Sequence, residues 1–358
     1  MDLQTNWTER IGDKLPGCEP LPEIENFLDP PFVPHRLVPG GHLQSILSLR
    51  CHALRTLHPL LRWVTLPDGD CLAMMDDIPE QWKPGDASVL VVHGLCGCSD
   101  SNYMLRFASR FVEQRVRVFR LNLRGCGIGI GHAKQITHAG RSDDVIAAIK
   151  AIAKLTQRGS ISAIGVSLGG NQLLRAFGLI GAGSDGGNPP SWLSRIHRIA
   201  AVSPPIDLHR CSDSMGRRRM RPYNRFFINH LLKTASEELR QNELIQAALR
   251  RVPRTMRELD ERVTAPLAGY SGAPDYYQNT AATRVMQHLQ VPTLVLAAND
   301  DPIVPVSCFG HAIRLTWPGC VRLVITRGGG HVGFIGRGKD RHWMDGLLDR
   351  WFDFPAYH

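Results

Sequence analysis

One serine stands with glycine two residues to either side, Gly165-Val166-Ser167-Leu168-Gly169, between an apolar run and a longer amphipathic segment. A hydroxyl is a weak nucleophile until a neighbouring base takes its proton, and that base needs a third group to fix its orientation. Both are present further along the chain. Ala297–Pro305 carries the adjacent acids Asp300 and Asp301, and three glycines lead into His331 in Gly328-Gly329-Gly330-His331-Val332-Gly333-Phe334. Of the fifteen histidines, His331 alone combines a place after the last expected strand with a flexible glycine approach. Serine, acid and histidine in that order suit acyl transfer through a covalent intermediate.

Such an intermediate carries an oxyanion, which needs preorganised N–H donors. Two backbone amides are candidates. The N–H of Leu168 follows the serine at the start of the expected helix, and that of Leu95 lies in Val91-Val92-His93-Gly94-Leu95-Cys96-Gly97, a His-Gly turn after an apolar run. His93 is the rival base, yet it precedes the serine and reads better as part of this turn. A nucleophile on a sharp elbow also strains its backbone, and side chains at 165 and 169 would collide with the adjoining strand and helix.

Elements that could hold these groups alternate along the chain. The runs 87–92, 116–123, 161–166, 199–202, 292–297 and 321–326 have strand length and are mostly apolar, as strands buried on both faces of a parallel sheet are. Arg62–Leu66 and Cys71–Met75 flank the turn signal Pro67-Asp68-Gly69-Asp70 and predict a hairpin. Between the runs lie helical patterns. In Ser142–Leu155 the positions Val145, Ile146, Ile149, Ile152 and Ala153 share a face, with Ser142 as the expected cap and Asp143 and Asp144 in the first turn. From Asp207 to about Gln290 no strand signal appears, while Met256, Leu259 and Val263 fall at helical spacing. That interval, roughly 80 residues, is too long for a connecting loop and predicts a helical lid. The expected organisation is an N-terminal arm over 1–61 packing on the core, an α/β core over 62–205 and 291–358, and the lid over 206–290. Gly181–Ser191 reads as a mobile surface loop.

Composition excludes several classes. The 358 residues are 43% hydrophobic and 21% charged, a globular balance. The net charge of +9 is dispersed apart from Arg217-Arg218-Arg219-Met220-Arg221 and Arg225, a cluster too short and too poor in aromatics for a nucleic-acid module. It reads as a solvated face. The first residues show no signal peptide, and the greasiest window, 42–61, is broken by Arg50, His52 and Arg55, so no membrane span is expected. Nine cysteines lack zinc-like spacing and predict reduced thiols in a cytoplasmic protein. No metal or organic cofactor is called for.

Several segments together resemble the YheT-like family of α/β-hydrolase-domain proteins: Gly41-His42-Leu43-Gln44-Ser45, the run from His93 to Tyr103, Asn122–Gly127, His138–Asp144, Gly165–Leu174, Tyr276-Tyr277, and the two segments holding Asp301 and His331. The likeness runs from about Gly40 into the C-terminal region. It implies an α/β-hydrolase fold, with a mostly parallel sheet, helices on both faces and an inserted lid. It implies an esterase or lipase-like activity with Ser167, Asp301 and His331 as triad, the acid standing three residues before Val304 as is usual in hydrolases. Asp300 then serves the turn as a backbone acceptor. Unlike the family's eukaryotic members, the chain shows no N-terminal anchor, which favours a soluble small-molecule ester over a lipid. The alternatives are a phospholipase or lysophospholipase in peripheral membrane contact and, outside enzymes, a ligand-binding protein on a hydrolase scaffold.

Overall fold

The structure is a computed structural model that describes residues 7–11, 30–49, 57–183, 189–312, 317–337 and 341–354. A nine-stranded sheet runs in the order β1-β9-β8-β7-β6-β4-β5-β3-β2. Its strands are β1 Trp7–Ile11, β2 Leu60–Thr65, β3 Cys71–Asp77, β4 Ser88–Val92, β5 Arg117–Asn122, β6 Ile161–Val166, β7 Ile196–Val202, β8 Thr293–Ala298 and β9 Val321–Thr326. β5, β4, β6, β7, β8 and β9 are mutually parallel, while β1, β3 and β2 are antiparallel additions at the two edges. This is the mostly parallel sheet that the alternating strand and helix signals predict, and it fits the fold that the resemblance implies.

Burial explains why most strands read as apolar runs, and β5, an exception, buries Arg117 and Arg120 against Asp76 and Asp77. Every residue of β4, β5, β6 and β8 is buried, because helices cover both faces. One face, with Leu90, Val92, Ile161 and Ala163, packs on α3 (Ser142–Thr156) and α4 (Leu168–Gly181). The other, with Val89, Val91, Ile164 and Val166, packs on α2 (Asn102–Glu113) and a C-terminal helix over Trp343–Phe352.

One local expectation is corrected. Ser142 is the first helical residue of α3 and not its cap: Arg141 occupies the cap, and the Ser142 hydroxyl donates to Gly140 O (3.3 Å). Asp143 and Asp144 do stand in the first turn, and Asp144 is buried there and accepts from Arg124. The edge strand β1 carried no sequence signal strong enough to predict it, since the five residues WTERI hold only two apolar side chains at their ends.

Between β1 and β2 in the chain, α1 (Gly41–Leu47) lies against the loop after β9. Among the described residues the chain between β7 and β8 holds helices and turns but no strand. These helices are α5 Leu208–Met215, α6 Arg221–Thr234, α7 Glu237–Arg240, α8 Glu243–Arg250, α9 Met256–Leu259, α10 Ala265–Leu267 and α11 Ala273–Thr280, with a π-turn over Asp260–Thr264 between α9 and α10. They share a small core of their own, in which Ile228, Leu232, Ile245, Leu259 and Val263 are buried. Ala282, Met286 and Leu289 instead join the main core, so the helical group ends before β8 is reached. The expected loop at Gly181–Ser191 falls in part on 184–188, outside the described residues.

Candidate active site

Parallel strands bring the loops after β4, β6, β8 and β9 to one edge of the sheet. Ser167 follows β6, and His93 and Gly94 follow the neighbouring β4, with Val92 in register with Gly165. Ser167 adopts φ 51° and ψ −118°, a conformation an L-residue holds only under constraint. The constraint is visible around it. A Cβ on Gly165 would lie 2.4 Å from Gly169 O, one on Gly169 would lie 2.5 Å from His93 O, and one on Gly94 would lie 2.9 Å from Ser167 Cβ. The glycines therefore let the β4 and β6 turns interlock.

Across the turn, the Ser167 hydroxyl donates to His331 Nε2 at 2.9 Å, and His331 Nδ1–H donates to Asp301 Oδ2 at 2.8 Å. The second carboxylate oxygen of Asp301 accepts the N–H groups of Ile303 and Val304 at 2.8 and 2.9 Å. Those two bonds fix the acid and give physical meaning to its spacing before Val304. Asp300 points elsewhere and accepts from Gly330 N (2.8 Å), so it holds the approach to His331 and not only its own turn. Burial raises the Asp300 pKa above the usual carboxylate value.

The candidate oxyanion donors lie on either side of the serine, Leu168 at the N-terminus of α4 and Leu95 in the turn after β4; Leu95 lines both cavities that meet at Ser167, and Leu168 the smaller one. Their turn is anchored by residues that sequence reasoning did not assign. Gly94 N–H donates to the Tyr103 hydroxyl (2.9 Å), Ser99 N–H donates to Asn122 Oδ1 (2.8 Å), and His93 is wholly buried. His93 Nδ1–H donates to Gly94 O (2.7 Å) while Nε2 accepts from Leu123 N–H (3.1 Å), so both ring nitrogens are committed to backbone. That removes His93 as a rival base. Beneath this turn Arg124 is held between Asp144 and Asp70, at 2.9 and 2.6 Å, which accounts for the motif Asn122–Gly127 as framework. From the other side, Ser45 Oγ accepts His331 N–H (2.7 Å), and Gln44 bonds both N–H and O of Ile335 (2.7 and 3.1 Å). The segment Gly41–Ser45 thus grips the histidine loop.

Burial pushes the His93 pKa down to about 4 and that of His138 down to about 3. An unfolded histidine takes up its proton near pH 6.5, whereas the folded one resists until much lower pH, so the unfolded state binds more protons between those values. Stability is expected to fall as pH drops from about 6.5 towards 4, with His93 alone contributing on the order of 3 kcal/mol. Urea unfolding at several pH values checks this. In His93→Gln, which keeps a polar side chain, that part of the slope should shrink; an unchanged slope would contradict the assignment.

Two cavities meet at Ser167. One, about 230 Å³, runs under the helices between β7 and β8 and is walled by apolar groups including Leu208, Met215, Leu231, Leu232 and Val263. Asp260 is the carboxyl on its wall; it accepts the Tyr277 hydroxyl at 2.7 Å, and burial raises its pKa to about 6. The other, about 560 Å³, contains His331 and reaches the surface between α1 and α6. Among the described residues no cluster of three or more His, Cys, Asp or Glu could hold a metal ion, and the described cysteines are free thiols.

A strained serine at a strand-to-helix turn, bonded to a histidine after the last strand, defines a class, and comparison with known families agrees. The chain belongs to the α/β-hydrolase fold family, whose model matches residues 87–337. Within it the YheT-like resemblance holds: the chain is 28% identical over 330 residues to the Escherichia coli (strain K12) protein named Putative esterase YheT, covering 89% of this chain and 92% of that one. It is also 27% identical to Phospholipase ABHD3 of Mus musculus, covering 69% of this chain but 58% of that protein. Monoacylglycerol lipase of Saccharomyces cerevisiae is 27% identical, with 71% and 56% covered. Among solved structures, the Pyrococcus furiosus esterase Pf2001 superposes with TM-score 0.54 over 85% of this chain and 96% of that one, at 14% identity, a likeness of fold. The protein is accordingly a hydrolase of this superfamily.

Proposed function

We propose that the protein cleaves carboxylic esters through an acyl-enzyme, with Ser167 as nucleophile, His331 as general base and Asp301 as the group that orients it. The observation that carries this reading is the chain of hydrogen bonds from Ser167 Oγ through His331 to Asp301 at 2.9 and 2.8 Å. His331 takes the serine proton as the hydroxyl attacks the carbonyl. The oxyanion rests on the N–H groups of Leu95 and Leu168, and His331 then protonates the leaving alcohol. Water, activated by the same histidine, releases the acid. A fluorophosphonate probe tests it: covalent labelling at Ser167 is expected, and a folded chain that takes no label would favour a non-catalytic binder.

Proton delivery orients the substrate. The leaving oxygen must lie within reach of His331 Nε2, and His331 lines only the larger of the two cavities, so the alcohol occupies that side. The acyl chain then enters the apolar cavity beneath α5 and α6. Leu231, part of that wall, is a place to shorten it. Leu231→Trp is expected to lower kcat/KM for long acyl esters about tenfold or more and to leave an acetate ester nearly unchanged, since each excluded methylene is worth roughly 1–3 kcal/mol. An equal loss across the acyl series would place the acyl chain elsewhere.

The phospholipase reading is the alternative. It is favoured by the apolar acyl cavity and by the names of two relatives, Phospholipase ABHD3 and Monoacylglycerol lipase. Free thiols at the described cysteines suit a reducing compartment, and the cytoplasm is the location proposed.

A further inference from the structure

The larger cavity reaches the surface between the end of α1 and the start of α6, where Ile46, Leu49 and Phe226 line it while remaining 53%, 65% and 52% exposed. α1 carries two different chemistries on its two sides. Its buried residues Gln44 and Ser45 hold the loop of His331, whereas Leu43 and Ile46 face outward. Leu37, shortly before the helix, is 81% exposed. The two sides of the opening are tied together, because the Tyr223 hydroxyl lies 3.1 Å from His42 Nδ1 and their rings are 5.6 Å apart. Single exposed apolar residues are ordinary on any surface. Here Ile46, Leu49 and Phe226 gather at the entrance to the serine.

On α6 and just before it, Arg217, Arg218, Arg219, Arg221 and Arg225 are all exposed. Asp213, the carboxylate just ahead of them, pairs with Arg257 (3.2 Å), and among the described residues no acid neutralises the cluster. Apolar side chains around an opening, flanked by unneutralised arginines, match a medium that offers acyl chains beneath a layer of anionic headgroups.

From this juxtaposition we infer that the face formed by α1 and the start of α6 docks on an anionic phospholipid bilayer, from which the ester substrate passes into the cavity of His331. The inference rests on the reading of Ser167 as nucleophile for the second half of that statement only; docking itself needs no catalysis. An acidic protein surface would also attract the arginines. It would not call for apolar side chains around the passage to the serine, whereas a lipid leaving a bilayer travels through such a rim. The cluster that the sequence reads as a solvated face thus acquires a partner.

Docking is tested with the full chain carrying Ser167→Ala, so that vesicles stay intact, by flotation with phosphatidylcholine vesicles with and without phosphatidylglycerol. Two variants each lose three charges: Arg218→Ala, Arg219→Ala, Arg221→Ala at the opening, and Lys150→Ala, Lys154→Ala, Arg158→Ala on and just after α3. Partition into anionic vesicles is expected to exceed that into neutral ones by about tenfold or more, and to weaken at 1 M salt, where screening acts over about 3 Å. The opening variant should lose most of that preference, and the α3 variant should change less than about twofold. A third variant, Leu37→Ser, should bind both vesicle types more weakly. With Ser167 restored, all three should hydrolyse a soluble short-chain ester as the parent does, which shows them folded. Equal loss in the two charge variants, no preference for anionic vesicles, or unaltered binding by the serine variant would each overturn the docking face. Anionic docking with no fluorophosphonate labelling would leave the face standing and remove the esterase reading instead.

Discussion

Ser167→Ala is expected to lower turnover of an ester by on the order of a millionfold while leaving the protein folded. Nucleophile, base and acid act as a unit, so removing the serine costs nearly as much as removing all three. The hydroxyl hydrogen-bonds His331, and the methyl of alanine fits where the serine Cβ already lies against Gly94. The turn itself is held by backbone bonds, Ser167 N–H to Val202 O (2.8 Å) and Asn171 N–H to Ser167 O (3.1 Å), which alanine keeps. Kinetics on a soluble ester with a circular-dichroism melt of the same preparation checks both halves. Undiminished hydrolysis by the folded variant would end the serine mechanism.

The second large effect separates two neighbouring acids. Asp301→Asn is expected to cost roughly 10⁴-fold in turnover. An amide cannot accept on both sides as the carboxylate does, and turning its NH₂ towards His331 imposes the tautomer with the proton on Nε2, where the serine hydroxyl must be received. Asp300→Asn keeps an acceptor for Gly330 N–H and touches no reacting group, so a loss within about tenfold is expected. Comparing kcat for the two variants decides the matter. If Asp300→Asn is the more damaged of the pair, the acid has been misassigned.

What the sequence made legible follows from which forces are local. The Gly-x-Ser-x-Gly pattern records a steric collision between residues four apart, and the order of Ser167, Asp301 and His331 records which strand each follows. β4, β6 and β8 read clearly because burial on both faces leaves each with a single polar residue, Ser88, Ser162 and Thr293. Less was legible where the partner is distant in the chain. Tyr103 meets Gly94, Ser45 meets His331, and Arg124 meets Asp144; none of these pairings has a spacing rule. Ser142 looked like a cap because it precedes two acids, but the cap depends on which residue leaves the helical conformation first, and Gly140 O captured its hydroxyl instead. β1 was invisible because an edge strand needs only backbone pairing to β9, which almost any composition supplies.

The interlocked turns after β4 and β6 also bear on how such a protein can diversify. With Gly94, Gly165 and Gly169 fitted against one another's backbones, almost no substitution there is survivable, and the reaction is in that sense frozen. The wall of the proposed acyl cavity is drawn largely from residues between Pro205 and Tyr277, on helices with their own small core and no strand in the sheet. On the proposed reading, chemistry and selectivity are written on separate stretches of the gene. Lineages, or an engineer, could rewrite the second stretch wholesale and inherit the first intact.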